Sequence, residues 1–245
     1  MSLKNTAILM PARYNSKRLP GKPLIKINNK YLFLKTLSRI KNFIPRQNIF
    51  VMSDEKKVIK IAKENKYNGI FSKKNFLNGT ERCSYCLKKI NKNFKYFIIV
   101  SCDMPFLDKR LLKILINKFE NKKRDFLTIH TKIKDKEVLN SKHTAKIALT
   151  KKNRILYLSR SRIPYLVNKG IYHYSHHGLV MIKSNVLKKY FYLKQENYQK
   201  GEDNEWLKLI ENDYMGDSIL VNKIKPEINT KSDLKKYFPI LFKKK

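Results

Sequence analysis

Apolar residues along the first hundred positions follow two alternating rhythms. Short unbroken runs at 7–10, 49–52, 69–71 and 97–100 read as strands, and 31–43, 55–66 and 81–90 carry apolar residues at three- and four-residue spacing and read as helices. This alternation predicts parallel strands in a three-layer α/β/α arrangement, with helices on both faces of the sheet. Chemistry in such sheets gathers at the strand carboxyl ends, which here means the residues just after Met10, Met52 and Val100. The second half changes rhythm. Segments 126–131, 145–149 and 179–182 read as strands with few crossover helices, an inserted or appended mixed sheet forming a smaller second β-rich region. A helix at about 203–212, a strand at 219–221 and a helix at 231–237 close the fold. No Pro/Gly-rich linker interrupts the chain, so residues 1–245 are expected to form a single domain.

Composition narrows the function classes. The chain is 42% hydrophobic, enough for one large core, and no heptad, triplet or longer repeat runs through it. Its longest uncharged apolar stretch, 96–100, is far below the roughly 20 residues that cross a bilayer. The run 7–10 before Pro11 is likewise short of the roughly 7–15 apolar residues of a secretory signal. A cytoplasmic protein with no membrane partner is the expectation. Three cysteines (Cys83, Cys86, Cys102) fit a reducing compartment better than a disulfide framework. The net charge of +36 invites a nucleic-acid reading, but 45 Lys against 10 Arg, together with 23 Asn, is the mixture that A/T-rich codons produce. Nucleic-acid binders concentrate charge on one face and favour Arg, whereas here Lys is spread through every segment, so no specific nucleic-acid partner is expected. Lys243, Lys244 and Lys245 read as a solvated tail.

The first candidate for chemistry is the loop Pro11-Ala-Arg-Tyr-Asn-Ser-Lys-Arg-Leu-Pro-Gly-Lys-Pro23, with four cations within ten residues and a backbone stiffened by three prolines and Gly21. Like charges on a stiff loop repel unless an anion sits among them, and a triphosphate is the natural anion. Ser16 and the loop amides offer a phosphate concavity, while Arg13, Arg18 and Lys22 supply direct charge. Asp103, after the buried strand at 97–100, is placed to hold a metal over a nucleotide, or to cap a helix beginning near Asp108, where Asp108 is the better cap. Asn78-Gly-Thr-Glu-Arg82 reads as a capping turn at a helix start, with or without a ligand, and Asp54 as a similar cap. Cys83 and Cys86 with His173, His176 and His177 lack the spacing of a zinc site and read as ordinary buried thiols. Trp206 and Tyr214 read as core or interface aromatics.

The string PARYNSKRLPGKPL resembles the N-terminal signature of 3-deoxy-manno-octulosonate (Kdo) cytidylyltransferases, relatives of the sialic acid cytidylyltransferases within the GT-A-like, Rossmann-like nucleotidyltransferase superfamily. The similarity continues in order through Met52-Ser-Asp54, Asn78 to Arg82, Asp103 with Pro105, Ser159-Arg160, Ile163-Pro164, His176 with Gly178, and Asn229 to Leu234. The resemblance implies attack of the anomeric hydroxyl of a 3-deoxy-2-ketoacid sugar on the α-phosphate of CTP, releasing pyrophosphate, with Mg²⁺ as cofactor, for lipopolysaccharide or another surface glycan. Residues 1–107 then form the CTP-binding half and 108–245 the sugar-binding and dimerisation half of a homodimer. It makes Lys22, Arg13 and Asp103 the catalytic candidates, with Lys22 and Arg13 at the phosphates rather than in the core. It assigns the nucleotide to Ala12, Arg13, Ser16, Arg18, Lys22, Gly79, Thr80 and Arg82, the sugar to Arg160, His176 and Glu205, and the metal to Asp103 and Asn229. Departures are also visible. Asn229 stands where an Asp metal ligand is usual, unless it only caps the last helix, a role open equally to Thr230 and Ser232. Ser101-Cys-Asp-Met-Pro105 replaces Gln-Gly-Asp-Glu-Pro, Ser175 replaces an Arg, with Arg162 a substitute for the lost charge, and Trp206 replaces a Gln. The alternatives are a cytidylyltransferase for another nonulosonic acid, such as a sialic, legionaminic or amino-Kdo type, and a non-catalytic basic polyanion-binding protein.

Overall fold

The computed structural model describes residues 3–16, 18–119, 123–168 and 170–242, so Lys17 of the basic loop and the Lys243–Lys245 tail lie outside it. Its strands are β1 Thr6–Pro11, β2 Lys26–Ile27, β3 Lys30–Tyr31, β4 Ile49–Ser53, β5 Asn68–Phe71, β6 Tyr96–Ile99, β7 Phe126–Lys132, β8 Lys146–Leu149, β9 Ile155–Ser159, β10 Tyr174–Lys183 and β11 Gly216–Leu220. Its α-helices are α1 Leu32–Arg39, α2 Lys56–Glu64, α3 Gly79–Cys86, α4 Lys109–Phe119, α5 Lys136–Asn140, α6 Ser184–Tyr190, α7 Asn197–Glu202, α8 Leu207–Ile210 and α9 Lys231–Tyr237.

The main sheet runs in the order β11-β7-β10-β6-β1-β4-β5, with β8 and β9 branching from β10, and β2 and β3 form a separate hairpin. β6, β1, β4 and β5 pair in parallel, while β10 inserts antiparallel between β6 and β7. The central strands separate two cores by simple alternation. Ile8, Met10, Val51 and Ile98 face one layer with Phe33, Leu37, Val58 and Leu112 of α1, α2 and α4. Ala7, Leu9, Met52 and Ile99 face the other with Cys83, Cys86, Leu187 and Leu207 of α3, α6 and α8. This is the expected three-layer architecture, and strands from both halves of the chain join one sheet.

Several local expectations are corrected. β10 begins at Tyr174, well before the expected 179, because its polar first half buries Ser175 and pairs with β7 before a register shift between His177 and Met181. β9 and the short helices α5, α6 and α7 fill a stretch read as poor in helices. The expected 203–212 helix is only α8, because Asp203 adopts the left-handed φ of 45° that ends α7. Helix 81–90 instead starts at Gly79 and gives way after Cys86 to a 3₁₀ turn.

Candidate active site

The carboxyl ends of β1 and β6 and the amino end of α3 open onto a concavity of about 580 Å³. The loop after β1 is tied down before it reaches Lys22. Ala12 is fully buried, its N–H donating to the Met52 carbonyl (2.8 Å) and its carbonyl accepting from the Ser53 hydroxyl (2.6 Å), so it shapes the wall without lining the concavity. The Tyr14 N–H donates to Asp54 Oδ1 (2.9 Å), and the Tyr14 carbonyl accepts from the Ser16 and Gly21 amides (2.8 and 3.0 Å). Gly21 takes φ 67°, which favours glycine, and turns the chain into a 3₁₀ turn at Lys22–Leu24. Arg13, Ser16, Arg18 and Lys22 thereby line one side together, as the sequence led us to expect.

Lys22, expected at the phosphates rather than in the core, lines the concavity but is only 8% exposed. Its ammonium donates to Asp103 Oδ2 at 2.6 Å and to Asn229 Oδ1 at 3.1 Å. Burial alone lowers the Lys22 pKa, but the adjoining Asp103 carboxylate outweighs it and holds the pKa above the usual lysine value. Asp103 is itself 6% exposed, and its Oδ1 is buried with no hydrogen-bond partner. Asp108 takes the capping role, accepting from the Arg110 N–H at the start of α4. The last helix is capped by Thr230 in a capping box with Asp233, so Asn229 is not its cap. The Asn229 side chain instead joins Lys22 to Glu227, its Nδ2 donating to Glu227 Oε2 at 3.3 Å.

Sequence reasoning passed over Glu227. The Ile228 N–H donates to the Asp103 carbonyl (2.9 Å) and its side chain is fully buried, so 227 and 229 flank an anchored residue. An acid two positions before Asn229 was the available signal. Burial, then repulsion by Asp103, pushes the Glu227 carboxyl up to about 7, against the pull of Asn229, Lys22 and Arg18. Asp103, Asn229 and Glu227, linked in turn through the Lys22 ammonium and Asn229 Nδ2, offer oxygen donors with one orphaned carboxylate oxygen, chemistry that suits a hard divalent cation, and of the three Asp103 lines the concavity.

The opposite wall is the amino end of α3. Asn78 caps it by accepting from the Glu81 N–H (2.8 Å), and a Cβ on Gly79 would stand 3.0 Å from Pro11 Cγ, so glycine lets the helix approach β1 closely. The Thr80 N–H donates to Glu205 (3.0 Å), while Thr80 Oγ1 has no partner. Burial holds the Glu205 carboxyl above its usual range despite that bond. Arg82 lines the concavity but is anchored, its guanidinium pairing with Asp54 at 3.1 Å and lying over the Phe76 ring. Asp54 is therefore a brace between the basic loop and α3, and Glu55 rather than Asp54 caps α2.

Arg160 reaches the concavity from the end of β9. Its guanidinium donates to the backbone carbonyls of Glu202, Lys142 and Asp203 at 2.7, 2.8 and 3.0 Å, and its charge is met by no side-chain carboxylate among the described residues. Lys146, fully buried, donates to the carbonyls of Ser141, Thr144 and Arg160, fixing the turn that presents Lys142 and His143, two lining residues the sequence did not single out.

His176 is not among the lining residues. Its Nε2 lies 3.0 Å from Thr128 Oγ1, and burial, with neighbouring His177 and His130, pulls its pKa down to about 3. Ser175 turns to Thr131 (2.9 Å), Trp206 stacks on Phe126 in the core, and Arg162 donates to Asn140, so none of these departures lines the concavity. Cys83 and Cys86 are buried in the α3 core, apart from the three histidines around β10. A second hollow of about 750 Å³ between Lys123, Lys151 and Arg154 has, among the described residues, Asp217 as its one carboxylate, already paired with Arg124 at 3.3 Å, and it shares no residue with the concavity.

Arg13, Arg18, Lys142 and Arg160 thus face one concavity beside Lys22, against Asp103, Asp203 and Glu205, an arrangement that favours a polyanionic ligand. Comparisons with known proteins agree. Residues 7–224 match the family profile described as Cytidylyltransferase. A 3-deoxy-manno-octulosonate cytidylyltransferase of Rickettsia prowazekii (strain Madrid E) is 31% identical over 238 residues, 96% of this chain and 95% of that protein. The enzyme of that name from Rickettsia typhi is 30% identical over 96% of this chain and 97% of its own length. Among solved structures, a CMP:2-keto-3-deoxy-manno-octonic acid synthetase complexed with CTP shares the fold with a TM-score of 0.87 at 24% identity, covering 97% of this chain and 98% of that one. A family match across almost the whole sheet and end-to-end relatives converge on one conclusion: the chain belongs to the 3-deoxy-manno-octulosonate cytidylyltransferase family of nucleotidyltransferases.

Proposed function

We propose that this enzyme transfers the cytidylyl group of CTP to the anomeric hydroxyl of Kdo or a Kdo-like sugar acid, releasing pyrophosphate, in the cytoplasm and toward a surface glycan such as lipopolysaccharide. The observation that carries this reading is the pairing of Lys22 with Asp103 at the edge of the cation-lined concavity, in a chain whose relatives bear that enzyme's name. Arg13 and Arg18 draw in the triphosphate, and Lys22 offsets the charge that builds on the α-phosphate oxygens as the sugar oxygen attacks and pyrophosphate leaves. Gly79 and Thr80 present a close-packed helix start to the base. Arg160, held rigid by three carbonyls, offers its unmatched charge to the sugar carboxylate, and Glu205 accepts from sugar hydroxyls.

Asp103 and Asn229 would hold Mg²⁺, and the orphaned Asp103 Oδ1 fits that role; when bound, the ion supplies charge neutralisation at the phosphates. Ser175, Trp206 and Arg162 do not line the concavity, which favours plain Kdo over a modified analogue. The chain is proposed to act as a homodimer: Tyr165 and Val167, 88% and 84% exposed, and the exposed Ile171 and Tyr172 put large apolar side chains on the segment after Arg160, where a partner would cover them. Among the described residues no helix is long and apolar enough to cross a membrane.

A substrate panel tests the proposal by following pyrophosphate release for CTP, UTP and ATP against Kdo and two nonulosonic acids. The expected result is turnover with CTP and Kdo foremost. Salt-sensitive RNA binding with no turnover would refute it.

A further inference from the structure

The residues around Asp103 carry a change of donor position that the motifs alone do not reveal. At the place where the family resemblance calls for an aspartate, this chain has Asn229, which takes one negative charge from a hard-cation site. The structure puts another carboxylate beside it. Glu227 Oε2 accepts from Asn229 Nδ2 at 3.3 Å, and Asn229 Oδ1 accepts from the Lys22 ammonium that also holds Asp103 Oδ2 at 2.6 Å. The segment is anchored on Asp103 itself, because the Ile228 N–H donates to the Asp103 carbonyl at 2.9 Å while the Ile228 side chain is fully buried against Leu19, Ile27, Leu32 and Leu234. With Ile228 fixed inward, Asn229 is joined to Asp103 through the shared Lys22 ammonium and Glu227 through Asn229. An independent feature marks the place as a ligand site: Asp103 is 6% exposed and its Oδ1 has no partner.

We infer that Glu227 supplies the carboxylate that Asn229 lacks, so that the divalent-cation site of this chain consists of Asp103, Asn229 and Glu227. This inference rests on the proposed metal role of Asp103, and it adds a ligand two residues upstream of the one expected. It also accounts for the amide at 229. A third carboxylate beside Asp103 and Glu227 would add repulsion, and the asparagine avoids it while its Nδ2 steadies Glu227.

The test is direct Mn²⁺ binding to the full-length protein, read by electron paramagnetic resonance of free Mn²⁺ in the absence of substrates, with circular dichroism melts as a folding control. Glu227→Gln keeps the shape and removes the charge, and it is expected to weaken Mn²⁺ affinity by about tenfold or more. Asn229→Asp added to Glu227→Gln returns the carboxylate to position 229 and is expected to restore affinity to within about threefold of wild type. Asp103→Asn is expected to abolish binding. Loss in Asp103→Asn with wild-type affinity in Glu227→Gln overturns the role of Glu227 and leaves that of Asp103 standing. Loss in Glu227→Gln that Asn229→Asp fails to rescue in a folded protein overturns the relocated carboxylate. Wild-type binding in Asp103→Asn, or no Mn²⁺ binding by the wild type, overturns both.

Discussion

Replacing Lys22 by alanine separates its pairing with Asp103 from its proposed catalytic task. The ammonium lies 2.6 Å from Asp103 Oδ2, and the two side chains are 10% and 9% exposed. Removing one partner of a dry buried pair strands the other charge at about 3–5 kcal/mol. Asp103 borders an open concavity that water can enter, so the cost here is about 1–3 kcal/mol, which for a chain of this size lowers Tm by roughly 2–12 °C. Catalysis should suffer separately. Losing one preorganised cation at a phosphoryl transition state costs on the order of 3 kcal/mol, about a hundredfold in turnover. Combining Lys22→Ala with Asp103→Asn removes both members of the pair, so most of the lost stability should return while activity falls below that of the single variant. Thermal melts and steady-state pyrophosphate release on the single and double variants form the assay. Full activity in Lys22→Ala, or a stability deficit in the double variant as large as in the single, would refute the reasoning.

The fold makes further claims that can be measured. A Cβ at position 216 would stand 2.2 Å from Phe126 Cζ, and Phe126 stacks on buried Trp206, so Gly216→Ala should destabilise by about 1–3 kcal/mol in urea unfolding without changing the KM for CTP. Thr230→Val removes half of the capping box with Asp233 and should cost about 1 kcal/mol in the same unfolding assay. Burial lowers the pKa of His176 to about 3 and of His177 and His130 to about 4, below the ordinary 6.5. The unfolded chain therefore takes up protons before the folded one, so their contribution to stability is full above about pH 6.5 and is lost as pH falls toward 4. Melts from pH 7.5 to 5 should show a shallower decline for His176→Gln than for the wild type, and parallel curves would contradict it.

The parallel half of the sheet was legible because β1, β4 and β6 are buried on both faces and leave uninterrupted apolar runs. The first half of β10 was not, since Ser175, His176 and His177 read as polar until Thr128 and Thr131 across the sheet supply their partners. The helices α5, α6 and α7 span only five to seven residues and are too short to carry a clear apolar period. In the site, the basic loop and Asp103 could be read because each directly follows a strand. Glu227 could not, because its meaning comes from Asn229, Lys22 and Asp103 together, and only the folded chain unites them. The burial of Lys22 was hidden for the same reason: a loop lysine gives no local sign that a distant carboxylate waits for it.

On the proposed mechanism, the Lys22 and Asp103 side of the concavity directs attack at the α-phosphorus of CTP. Positional labelling tests it most directly, with CTP carrying ³²P at the α- or the γ-phosphate, incubated with Kdo, Mg²⁺ and the enzyme. The α-label should appear in a CMP-sugar and the γ-label in pyrophosphate, with neither product formed by the Lys22→Ala protein at more than about a hundredth of the wild-type rate. An α-label that never enters a sugar nucleotide, or a γ-label released as inorganic phosphate, would contradict it.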